Sequence, residues 1–165
     1  MSEGHITDSM RSVVGKEYSR STSFPVSESD IRRWAMATYY PEPPPRKFWD
    51  ASGGVDIVAP EDFNPFAWMS ASGPKTASVA YDPDDHFKVL GVDGPGLQRQ
   101  VNGALDVTYG ESIRPGDVIT SSASVSALSE RTGRLGLMLF TTLETVWTNQ
   151  TGAEVRRQKM TIIRY

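Results

Sequence analysis

Only two histidines occur in the 165-residue chain, His5 and His86, and there is no cysteine. Imidazole chemistry within the ordered chain therefore rests on His86, with Asp84 and Asp85 beside it. An Asp that orients a His is the arrangement of a general base. The run Asp82-Pro83-Asp84-Asp85 is also ordinary turn composition, so a solvated loop histidine explains it as simply. Glu61 and Asp62 are the second candidates. Adjacent carboxylates can take a proton from water, or they can favour the positive end of a helix that they begin.

Binding chemistry has its own candidates. Trp49, Pro60, Phe63, Phe66 and Trp68 are the apolar and aromatic types that wall a ligand tunnel, and equally the types that fill a core. Asn64 stands where a polar cap can start a helix and aim a donor at a carbonyl. Arg131 and Arg134 flank a turn, and Arg156, Arg157 and Lys159 follow on the last apolar run. Such cations suit phosphates or protect an exposed strand edge.

Several function classes are excluded. Without cysteine there is no disulfide, thiolate nucleophile or Cys-ligated zinc. Two histidines leave no His-rich metal site, and a carboxylate site would be of the magnesium or calcium type. No glycine-rich phosphate loop and no Gly-x-Ser-x-Gly elbow is present. The net charge of −3 predicts neither nucleic acid nor an anionic membrane as partner. No apolar run approaches the ~18 residues of a membrane span. The polar start Met1-Ser2-Glu3-Gly4-His5 does not read as a signal peptide, and the expectation is a cytoplasmic protein.

The elements that must position these groups are legible in part. Residues 1–14 lack periodicity and are expected to be a flexible segment, leaving 15–165 as one domain with one core. Tyr18 to Val26 reads as an edge strand. Ser27 caps a helix from Glu28 to Tyr39, with Ile31, Trp34, Ala35 and Thr38 on one face and Pro41 ending it. Pro41 to Pro45 is stiff and extended. Pro60, or Pro65 after Asn64, is expected to begin a second, central helix through Met69. The stretch from Ser72 to Gly96 reads as a long loop.

Four strands follow, from Gln98 to Tyr109, Val118 to Leu128, Leu135 to Thr148 and Val155 to Tyr165. Arg114-Pro115-Gly116-Asp117, Thr132-Gly133 and Asn149-Gln150-Thr151-Gly152 supply the turns. The strand from Leu135 is apolar on both faces, which predicts burial on both sides.

The order Gly15-Lys16-Glu17-Tyr18, helix, Val58-Ala59-Pro60 with Phe63, Arg114-Pro115-Gly116-Asp117, then Arg131-Thr132-Gly133-Arg134 through Glu144 to Asn149-Gln150 resembles the MaoC-like, FAS1-like dehydratase family. The resemblance implies an α+β hotdog fold, a twisted antiparallel sheet wrapped around a central helix. It implies hydration or dehydration of a trans-2-enoyl thioester of CoA or acyl carrier protein, without a cofactor. Active members carry an Asp and, about five residues on, a His in the loop after the first helix. Here Tyr39 to Asp50 holds prolines and aromatics instead.

The chain thus resembles the non-catalytic half of a paired enzyme. It would bind the acyl thioester, fatty or steroid-like, while a second hotdog subunit, or a homodimer partner, completes the assembly. On this reading Arg131 and Arg134 meet the CoA phosphates, and Trp49, Pro60, Phe63, Asn64 and Trp68 line the acyl site. Two rivals stand beside it. One is a self-sufficient hydratase or thioesterase using His86, Asp85, Glu61 or Asp62. The other is a hotdog protein that binds acyl-CoA without turning it over.

Overall fold

The computed structural model describes residues 4–67 and 82–165. Five strands, β1 (Glu17–Thr22), β2 (Gln100–Tyr109), β3 (Thr120–Gly133), β4 (Gly136–Thr148) and β5 (Glu154–Arg164), form one sheet in the order β1-β3-β4-β5-β2. All four pairings are antiparallel. The sheet matches the expected strands within a few residues, because period-two patterning and turn residues are local signals.

The turns explain the register. Asp117 accepts from the Arg114 amide at 2.7 Å, and Gly116 takes φ +89. Asn149 Oδ1 accepts from the amides of Thr151 and Ala153, both at 3.0 Å. Gln150 then bonds the Asp117 carboxylate at 2.8 Å and the Val118 amide at 3.0 Å, locking the two turns together. The β3–β4 hairpin pivots on Arg134-Leu135, between paired Gly133 and Gly136, rather than on Thr132-Gly133. Gly136, at φ +90, supplies the left-handed residue that closes it.

Helix α2 spans Glu28–Tyr39 as its signals predict. Ser27 Oγ accepts from the Asp30 amide at 3.1 Å, and Ile31 and Ala35 are buried. On the helix's outer face, Arg32 Nε donates to the Trp49 carbonyl at 2.8 Å.

Three expectations are corrected. The stretch 8–12 is helix α1, and Met10 and Val13 are fully buried, so this part of the N-terminal segment is packed rather than loose. Pro60 begins no helix: residues 60–67 form successive turns, with Phe63 N on Pro60 O at 2.9 Å and Ala67 N on Asn64 O at 3.1 Å. A first-turn proline fits a tight turn as well as a helix start. Trp68 and Met69, the end of that expected helix, lie outside the described residues. Finally, of the expected loop from Ser72 to Gly96, residues 72–81 lie outside the described residues, and the rest contains helix α3, Asp85–Lys88, held down by fully buried Phe87.

Odd-numbered residues of β4 share one face. That face supports two cores. One gathers Val26, Ile31, Ile57, Ala59, Phe63, Ile113, Ile119, Trp147 and Val155. The other gathers Met10, Val13, Phe87 and Leu139. Leu139 and Trp147 are eight residues apart on β4, about 27 Å at the rise of a strand. The opposite face of β4 is only half-buried, and Glu144 there pairs with Arg157 at 3.1 Å and Lys159 at 3.4 Å. The described residues therefore do not bury both faces of β4. Among the described residues no helix is long and apolar enough to cross a membrane.

Candidate functional site

A groove of about 490 Å³ runs between the end of α2 and the end of β2. It is lined by Thr38 and Tyr39 of α2, by Lys47 and Phe48, by Pro60, Glu61 and Asp62, and by Tyr109 and Ser112. Each part arrives for a local reason. Pro41 stops α2 so that Thr38 and Tyr39 end at the rim. Ala59 N donates to Ile113 O at 2.8 Å, which pins the Pro60 turn against the chain leaving β2. Phe48, buried beside Tyr39 with ring centroids 5.8 Å apart, anchors the proline-rich segment.

The carboxylates Glu61 and Asp62 are exposed in this groove. Thr38 Oγ1 donates to Asp62 Oδ2 at 3.4 Å. No histidine lines the groove. They do not serve a helix dipole, because no helix begins between Pro60 and Ala67.

His86 lies elsewhere. It belongs to α3, 7% exposed, with its ring 4.3 Å from Phe87 and 5.9 Å from Tyr18. Its Nε2 has no hydrogen-bond partner among the described residues. Burial, and then the positive charge of Arg164, push its pKa down to about 4. Burial also pushes the Tyr18 phenol up. Asp84, the neighbour expected to orient it, is committed to Arg164 and to the Gly96 amide, and Asp85 is exposed. The solvated-loop expectation is thus corrected: His86 is neutral, buried and structural in its contacts. His5 is no nearer the groove, since its Nε2 meets the Leu137 carbonyl at 3.0 Å.

The remaining expected residues divide. Pro60 lines the groove. Phe63 is 1% exposed and stacks edge-on against Trp34 at 5.6 Å, so it is core. Trp49 turns back on the proline segment, its Nε1 donating to Pro44 O at 3.0 Å, and Phe48 takes the place at the groove. Asn64 Oδ1 accepts from the Phe66 amide at 2.9 Å and caps a turn rather than a helix. Trp68 lies outside the described residues. Arg131 and Arg134 sit exposed at the β3–β4 hairpin, with Arg131 5.5 Å from the Phe140 ring. That is the end of the sheet away from Trp147 and Arg156, so the five cations do not gather at one site.

Sequence reasoning missed the importance of Tyr109, Ser112 and Thr38, which only the folded groove brings together. For Tyr109 the signal is the register: Trp147 pairs with Arg156, and Arg156 with Tyr109, in one row across β4, β5 and β2.

The family described as "FAS1-like, dehydratase domain region" matches residues 12–158. The chain belongs to this family. No curated protein matches it. Among solved structures, the ChsH1-ChsH2 complex from Mycobacterium tuberculosis aligns with a TM-score of 0.66 at 18% identity, over 96% of this chain and 89% of that one. The MaoC-like dehydratase from Rhodospirillum rubrum aligns at 0.50 and 17% identity, over 89% and 90%. The C-terminally truncated HadBC (3R-hydroxyacyl-ACP dehydratase) complex from M. tuberculosis aligns at 0.50 and 15%, over 88% and 94%. At such identities the likeness concerns the fold, and it establishes the hotdog architecture that the sequence resembled.

Proposed function

We propose that this chain is the substrate-holding half of an enoyl-CoA hydratase or (3R)-hydroxyacyl thioester dehydratase, whose catalytic Asp and His come from a partner hotdog subunit. One observation carries the reading: the groove that presents Asp62 contains no imidazole, and both histidines sit with the other core. Hydration needs a carboxylate and an imidazole on one water, one taking a proton while the other delivers one to the α-carbon. Five residues beyond Asp62, at the spacing active relatives use for a His, stands Ala67. The emptied pair therefore fits this segment as well as Tyr39 to Asp50.

Strand β2 supports a partner. Among the described residues it pairs with β5 alone, and it exposes Val101, Leu105 and Tyr109. A ten-residue edge with three exposed apolar residues invites strand addition from another chain. Two of the similar folds are named as complexes, ChsH1-ChsH2 and HadBC.

The groove would take the acyl thioester. Titration of the purified chain with a non-hydrated acyl-CoA such as hexanoyl-CoA tests this half of the account. Saturable one-site binding, weakened by Tyr109→Ala at the groove wall, is the expected result. Absence of binding, both alone and in complex with a catalytic hotdog chain, would remove the reading.

A further inference from the structure

Beside the groove, and sharing Pro60, Glu61, Tyr109 and Ser112 with it, lies a narrow slot of about 50 Å³. Trp147 and Arg156 line it too, and they do not line the groove. The Arg156 guanidinium lies 4.8 Å from the Trp147 ring and 6.0 Å from the Tyr109 ring. Trp147 is itself buried and held edge-on by Phe66 at 5.3 Å. The three side chains are register neighbours across three strands, so the backbone ladder fixes their order.

This arginine is oriented but underused. Its Nη2 donates to Gln158 Oε1 at 2.9 Å. Its Nε is buried, and among the described residues it has no hydrogen-bond partner and Arg156 makes no ion pair. Arg157, next along the strand but on the other face, pairs with both Glu144 and Glu154. Glu61 and Glu111 also border the slot, yet both are exposed and outside ion-pair distance of Arg156. A buried N–H donor without an acceptor is costly, and an acceptor that reaches the guanidinium recovers part of that cost. The aromatic faces hold the guanidinium plane without consuming its N–H groups.

We propose that Arg156 is a specificity-determining residue that accepts an oxygen-bearing end of the acyl group, a carbonyl or carboxylate, into the slot. The inference rests on the acyl-thioester reading of the groove and adds a preference for oxygenated over plain alkyl chains. The slot has room for one such group or one water of about 30 Å³, not for a phosphate with its surroundings.

The test compares binding of adipoyl- and suberoyl-CoA with hexanoyl- and octanoyl-CoA to the full chain and to Arg156→Met, which keeps the stem between the rings. Arg156→Lys, which keeps the charge but lacks Nε, is the companion variant. The expected result is that the better ω-carboxylated ligand binds about tenfold or more tightly than its alkyl counterpart. The preference should disappear in Arg156→Met and shrink in Arg156→Lys, while alkyl binding changes little. Equal binding of both classes to the native chain, or a preference that survives both substitutions, overturns the inference and leaves the groove reading intact. Binding of neither class overturns both.

Discussion

Arg164 and Asp84 form a buried ion pair that ties the end of β5 to the residue just before α3, eighty positions apart. The side chains are 1% and 7% exposed. Arg164 Nη1 also donates to Pro83 O at 3.0 Å, and Asp84 Oδ2 accepts from the Gly96 amide at 2.9 Å. Removing one partner strands the other charge in the core. Arg164→Met is expected to cost about 3–5 kcal/mol in urea unfolding. Adding Asp84→Asn to it should return part of that loss. A double variant less stable than Arg164→Met would show that the pair does not work this way.

The depressed pKa of His86 makes a pH prediction. The unfolded chain takes up a proton below the ordinary pKa of 6.5, while the folded chain refuses it until about 4. The contribution is thus fully present above pH 6.5 and is lost as pH falls toward 4. The loss amounts to up to about 3 kcal/mol. Arg164 opposes protonation, and Asp82, Asp84 and Asp85 favour it. His86→Phe, which fits among Tyr18 and Phe87, should flatten stability over this window. An unchanged slope would place the linkage on other groups.

Asp62 separates the substrate-holding reading from the self-sufficient enzyme. Replacement of a true general base costs about 10²-fold or more. In an active complex with a catalytic partner, Asp62→Asn, Glu61→Gln and His86→Ala are each expected to lower kcat by less than tenfold. A collapse of kcat with any one of them, at unchanged folding by circular dichroism, would transfer the catalytic role to this chain.

The open edge of β2 predicts where a partner sits. Leu105, 61% exposed, and Val101, 48% exposed, make few contacts that a monomer would miss. Leu105→Lys with Val101→Lys should weaken association by tenfold or more in analytical ultracentrifugation. Stability of the isolated chain should change by only about 0.5 kcal/mol per surface substitution. Undiminished association would move the interface elsewhere.

Much of the fold was legible because its signals are local. Ser27 and Pro41 bound α2 on their own, and Pro115-Gly116 and Asn149-to-Gly152 fix two turns by hydrogen bonds within a few residues. The errors fall where distant parts of the chain decide. Met10 and Val13 look like a loose lead-in until Phe87 and Leu139 cover them. His86 looks solvated until β1 and Arg164 close over it. Pro60 offers the same φ to a turn and to a helix. At the site, Asp62 and Pro60 could be named from type and position. The row Trp147–Arg156–Tyr109 could not, because it exists only once three strands are in register.

The most direct test of the central claim is hydration of trans-2-enoyl-CoA by the purified chain, alone and then with a catalytic hotdog subunit that carries the Asp and His. The account predicts no turnover above background for the chain alone and turnover at enzymatic rates on mixing. Hydration by the chain alone at such rates would contradict it.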